Sequence, residues 1–108
     1  MAISERQYAA QVITRDGDAV KFDDIGCMAA YLRGAENEKQ VIARFVADFD
    51  SRGWIKAEDA YYVKSPELKT PMRGGIVAFK DESSARRSAE SYRGIGARFD
   101  EAMAMLNR

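Results

Sequence analysis

Residues Tyr8 to Thr14, reading YAAQVIT, are rich in side chains that suit a β-strand. The turn Arg15-Asp16-Gly17-Asp18 follows, and Asp-Gly is a strong hairpin dipeptide, so Ala19 to Phe22 is predicted to return as a second strand. Asp23 or Asp24 can then cap a helix, because a carboxylate accepts the amide hydrogens left unpaired in a first turn. In that helix Ile25, Met28, Ala29 and Leu32 recur at the spacing of one buried face, and Gly34 is placed to stop it. Ala35 to Lys39 reads as a polar loop. Within Val41 to Phe49, Ile42, Phe45, Val46 and Phe49 fit a helical stripe, but the short length and the β-branched and aromatic content favour a strand. Asp50 to Gly53 turns the chain towards Trp54-Ile55.

The second half echoes the first. Asp59 to Val63 and Gly75 to Phe79 are strand-like, and the loop between them, Ser65 to Gly74, carries both prolines. Val77 to Asp81 then leads into the helical SSARRSAESYR, much as Val20 to Asp24 leads into GCMAAYLR. Gly94 and Gly96 break that helix, and Phe99 to Leu106 predicts a closing helix with Met103 and Leu106 facing inward. Hairpin then helix thus occurs twice. The fold class expected is α+β: two small tandem β-β-α(-β) repeats, residues 1–54 and 55–108, packed into one compact unit. The 108-residue length fits a single domain with a core of its own.

Charge and composition narrow the function. Lys plus Arg and Asp plus Glu are both 17, so no excess positive field exists to drive general nucleic-acid binding. The absence of histidine removes Ser-His-Asp and Cys-His catalysis, imidazole metal ligands and histidine switching. The single Cys27 excludes an internal disulfide and any cage of two or more thiolates from one chain. No apolar run reaches the roughly 18–20 residues that span a bilayer, and Met1 to Arg6 lacks a basic stretch followed by an apolar one.

What remains is carboxylate, amine, hydroxyl, thiol and thioether chemistry. Asp23-Asp24 is a carboxylate pair, but neighbours at a helix start more often serve as caps. Asp48 and Asp50 read as surface residues, and Glu58-Asp59 as a solvated turn. Ser83 to Arg87 opens a helix that could hold an anion; the plainer reading is a serine cap beside a solvated arginine face. Of Tyr61 and Tyr62, adjacent on a half-buried strand, one belongs to the core and one to its rim. Sulfur is more informative: Cys27 and the five methionines are soft donors of the kind that suit Cu(I). Met28, Met103 and Met105 lie in helical segments and are simply read as core filler, and Cys27 as a small buried hydrophobe. Met72 is different, because it sits in a proline-bearing turn directly before two glycines, where packing gives it less reason to be.

Three segments, taken in order, resemble the NosL family, the copper-handling accessory lipoproteins of nitrous-oxide reductase assembly. They are Phe22 to Met28 (FDDIGCM), Trp54-Ile55 with Ala60 to Val63, and Thr70-Pro71-Met72 with Gly75 to Phe79. The resemblance runs from about Ala2 to Asp81. It implies a two-lobed α+β fold, Cu(I) as cargo and no enzymatic activity. It also implies a life outside the cytoplasm, facing the periplasm, on a lipid anchor that precedes this chain. Copper in the family is expected between an N-terminal Cys/Met segment and the methionine of the Thr-Pro-Met turn. Carried over by residue, this leaves Met72 and Met1, with Cys27 as a substitute if the fold brings its helix start near the Met72 loop. A site of thioethers alone lacks an anionic ligand and should hold Cu(I) less tightly. The partners implied are a metalloenzyme or a copper-delivery membrane complex, and no nucleic acid. The competing expectation is a metal-free interaction or sensor module on the same scaffold.

Overall fold

The computed structural model describes residues 6–106. After a short 3-10 turn at Arg6–Tyr8, strands β1 (Ala10–Thr14) and β2 (Ala19–Phe22) form the expected hairpin. Its turn uses Gly17 at φ 86°, a left-handed conformation that glycine adopts without steric cost. Helices α1 (Ile25–Leu32) and α2 (Ala35–Gln40) come next, followed by β3 (Val41–Ala47) and β4 (Trp54–Lys56). The second half runs β5 (Tyr61–Lys64), β6 (Ile76–Phe79), α3 (Glu82–Ser91), β7 (Ile95–Ala97) and α4 (Phe99–Leu106).

All pairings within the two sheets are antiparallel. The first has the order β2-β1-β3-β4 and the second β6-β5-β7. In both, a hairpin is followed by helix and a third strand that returns to the far side of the first, so β2-β1-β3 and β6-β5-β7 share one topology. A parallel bridge between Asp48 and Ala78 joins the sheets, reinforced by the Phe49 amide donating to the Ala78 carbonyl at 2.8 Å.

The main core lies between the halves and draws on both. Val12, Ile25, Met28 and Val46 come from the first, Tyr62, Ile76, Ala78 and Ala102 from the second. Met103 and Leu106 of α4 pack on this core from their half-buried positions, facing inward as the pattern predicts. A second cluster of Val63, Leu68, Val77, Phe79 and Ala85 forms where α3 covers the other face of the second sheet. Because β6 is buried on both faces, its sequence is an unbroken apolar run, IVAF, and not an alternation.

Several elements differ from the sequence pattern. Ala35 to Gln40 is helical, not loop: AENEKQ has high helical propensity but buries no residue, so periodicity gives no sign of it. β7 lies between and across the two glycines read as breakers. Asp59 belongs to a 3-10 turn that precedes β5. At the start of α3 the cap position is Asp81, without a side-chain capping bond, and not a serine.

Candidate metal centre

The site is built around a buried carboxylate. Asp24 is the N-cap of α1, with extended backbone at φ −149° and ψ 138°, and it is fully buried. Its Oδ1 accepts from the Gly26 amide at 2.7 Å, the ordinary capping bond. Its Oδ2 reaches across the molecule and accepts from the amides of Met72 at 2.9 Å and Gly74 at 3.2 Å. A carboxylate removed from water is tolerable when such donors satisfy it, and three backbone N–H groups do so here.

The approach is close enough to require glycine at position 74 and to leave little room for a side chain at position 26. A Cβ on Gly74 would stand 2.3 Å from Asp24 Oδ1, and one on Gly26 would stand 3.2 Å from the Gly74 Cα. Gly26 and Gly74 therefore permit two backbones to meet, bringing the start of α1 against the Met72 turn.

That turn is rigid in its own right. The Arg73 amide closes Thr70-Pro71-Met72-Arg73 by donating to the Thr70 carbonyl at 3.1 Å, and Pro71 presets the first central position. Thr70 Oγ1 accepts from the Gly75 amide at 3.0 Å, and Lys64 Nζ donates to the Gly74 carbonyl at 3.3 Å. Arg73 carries φ 63°, a conformation held by these bonds despite its side chain. Met72 is left 63% exposed. Met72 itself is held through its backbone amide, which leaves the thioether free.

Cys27 follows Gly26, the residue whose backbone meets Gly74 of the Met72 loop, in the first turn of α1. It is only partly buried, not the fully enclosed hydrophobe of its plainer reading. Its thiol is pushed above its ordinary range, first by desolvation and then by the Asp24 and Asp23 carboxylates. At neutral pH it is a thiol, and a soft cation would have to displace its proton. Asp23 Oδ1 is buried without a hydrogen-bond partner among the described residues. Met1, the remaining candidate, lies outside the described residues. Met28 is fully buried in the core, as read from the pattern.

The other candidates resolve into structural roles. Arg86 faces Glu82 and Arg87 donates to Ser84, a solvated helix face. Tyr62 is buried with its hydroxyl donating to the Ala57 carbonyl at 2.7 Å, while Tyr61 is the rim residue. Asp48 is buried and not at the surface: Oδ1 accepts from the Asp50 amide and Oδ2 from the Ser51 hydroxyl, closing the turn after β3. Among the described residues no three His, Cys, Asp or Glu side chains gather as a hard metal cage. Sequence reasoning missed the second role of Asp24. Its available signals were a glycine two residues after the cap and a paired glycine after the Met turn.

No helix among the described residues is long and apolar enough to cross a membrane. No curated protein matches the chain at a significant level. Among solved structures, it is similar to the copper chaperone NosL from Shewanella denitrificans, with a TM-score of 0.80 at 20% identity over 94% of this chain and 92% of that one. The two share a fold of mixed helix and antiparallel sheet. NosL proteins are accessory proteins and not enzymes. The NosL family model matches residues 1–106, nearly the whole length, and the chain therefore belongs to the NosL family.

Proposed function

We propose that this chain is a copper-binding accessory protein that takes up Cu(I) as cargo and passes it to a partner metalloenzyme, in nitrous-oxide reductase assembly or a related copper pathway. The observation that carries the reading is Met72: an exposed thioether on a turn whose backbone is fixed by a buried carboxylate. Cargo transfer by ligand exchange needs a soft donor that an incoming ligand can reach, and a low coordination number leaves room for that ligand. Met72 is the primary ligand, with Met1 and Cys27 as further sulfur donors. Cys27 supplies the anionic donor once its proton is displaced. We further propose that residues 1–54 and 55–108 are the two repeats, and that the protein works outside the cytoplasm on a lipid anchor.

The test is a competition titration with Cu(I) and a chromogenic chelator under anaerobic, reducing conditions. One equivalent bound at sub-micromolar free copper supports the reading, and Met72→Ala and Cys27→Ser then assign the ligands. A chain that never competes is a metal-free interaction module on the same scaffold, and the copper reading fails.

A further inference from the structure

The Met72 turn borders an open groove whose charged lining is of one sign. Lys64, Lys69 and Arg73 line it together with Pro66, Thr70 and Pro71, and no carboxylate does. Lys69 and Arg73 are exposed, and Lys64 is half-buried. None of the three has a carboxylate within ion-pair distance among the described residues. Glu67, the acidic residue of the same loop, is turned towards Arg93 at 4.0 Å and away from the groove lining.

Three other clefts among the described residues are balanced or acidic. The one beneath α3 sets Glu82 and Glu101 against Arg86 and Arg98. That beside α1 sets Glu38 and Asp100 against Arg33 and Arg44. A third has Arg98 against Glu58, Asp100 and Glu101. In a chain of zero formal net charge, three cations without an ion-pair partner among the described residues thus share the wall of one groove, next to the exposed methionine.

We infer that this groove is a docking surface for an acidic segment of a partner protein, with Met72 at its lip. The inference rests on the copper reading for the purpose of docking, but not for the docking itself. A concave wall of one sign focuses the field and steers an oppositely charged partner, chiefly by raising the association rate. Its shape suits a protruding acidic loop better than a flat anionic membrane. Docking there would bring a partner's soft donors to the Met72 sulfur without rearranging the turn.

The experiment uses the full metal-free chain, isotopically labelled, and a blocked synthetic peptide of glutamates flanking two methionines. At low salt the peptide should shift the amide resonances of residues 64–75, and Lys69→Gln/Arg73→Gln should weaken binding about tenfold or more. Raising the salt to about 0.5 M, where screening shortens to a few ångströms, should abolish it. The control Arg86→Gln/Arg87→Gln removes two exposed cations from α3 and should leave binding unchanged. Equal weakening by the control pair would overturn the inference, as would shifts elsewhere or none. So would a groove untouched by peptide in a chain that sediments with phosphatidylglycerol vesicles through Lys69 and Arg73; that outcome would assign the groove to membrane. Because the peptide titration contains no copper, its failure is separate from a failed Cu(I) competition.

Discussion

The amide of Met72 donates to the buried carboxylate of Asp24 at 2.9 Å, across 48 residues of sequence. The bond divides two jobs that usually conflict. Exposure leaves the sulfur reachable, and the backbone anchor keeps the turn in place while it is reached. A side chain ordered by its own packing would lose the first property, and one on a loose loop the second.

Met72→Ala should leave folding nearly unchanged, within about 0.5 kcal/mol, because the lost side chain is mostly exposed. Cu(I) affinity should fall about tenfold or more, a loss of at least ~1.4 kcal/mol in binding. Thermal unfolding and chelator competition on the same samples check both halves of the expectation. Unchanged affinity would remove Met72 from the site.

Asp24→Asn replaces an acceptor for three N–H groups with a group that has one acceptor and donors of its own. The expected loss is about 2–4 kcal/mol, since bonds to a charged, buried acceptor are among the stronger ones. Gly74→Ala attacks the same contact from the other side, with a Cβ forced to 2.3 Å from the carboxylate oxygen. It should cost roughly 1–3 kcal/mol. In both variants the Met72 and Gly74 amides should lose protection in hydrogen exchange before the rest of the second sheet does. Undisturbed exchange at these two amides would show that the carboxylate does not hold the turn.

Tyr62 gives the alkaline limb of the stability curve. Burial, and secondarily Glu58, push its phenol well above the ordinary range, with Arg44 and Arg98 opposing. The folded chain keeps this proton where the unfolded chain loses it. The associated stability is fully present below the unfolded pKa of about 10 and declines by up to ~1.4 kcal/mol per pH unit above it. Denaturant unfolding from about pH 9 to about pH 12 should show the decline. Tyr62→Phe should be less stable near neutrality, through loss of the bond to Ala57, yet show a shallower alkaline fall.

Cys27 should be a slow nucleophile in the metal-free chain. With its thiol raised by burial and two carboxylates, alkylation by iodoacetamide near neutral pH should be several-fold slower than in the chain unfolded by denaturant. Mass spectrometry over time measures this directly. An equal or faster rate would place the thiolate in a more favourable field than the one described.

Much of the architecture was legible because its signals are local. The Asp16-Gly17 hairpin, the Ile25-Met28-Ala29-Leu32 face and the proline-bearing Met72 turn each announce themselves within a few residues. Hairpin followed by helix was legible twice, and the two sheets do share a topology. What escaped was either faceless or non-local. α2 buries nothing, so a stripe could not reveal it. β7 is a three-residue edge, IGA, between and across glycines that read as punctuation. Asp48 looked like surface because its burial comes from the sheet junction at Ala78, about thirty residues away along the chain. Asp24, one of the two caps the sequence offers, takes that position, but two of its three hydrogen bonds come from a turn that only the tertiary fold brings near.

The anchor at Met72 is indifferent to the side chain it presents. Asp24 grips peptide N–H groups, which every residue but proline possesses, so position 72 is an interchangeable socket within a mount that the rest of the molecule supplies. Cysteine or histidine could be installed there without new packing to solve, turning one thioether into a thiolate or an imidazole. On the proposed copper reading, a change at position 72 alone would alter the donor offered to the metal, with the fold acting as a fixed chassis.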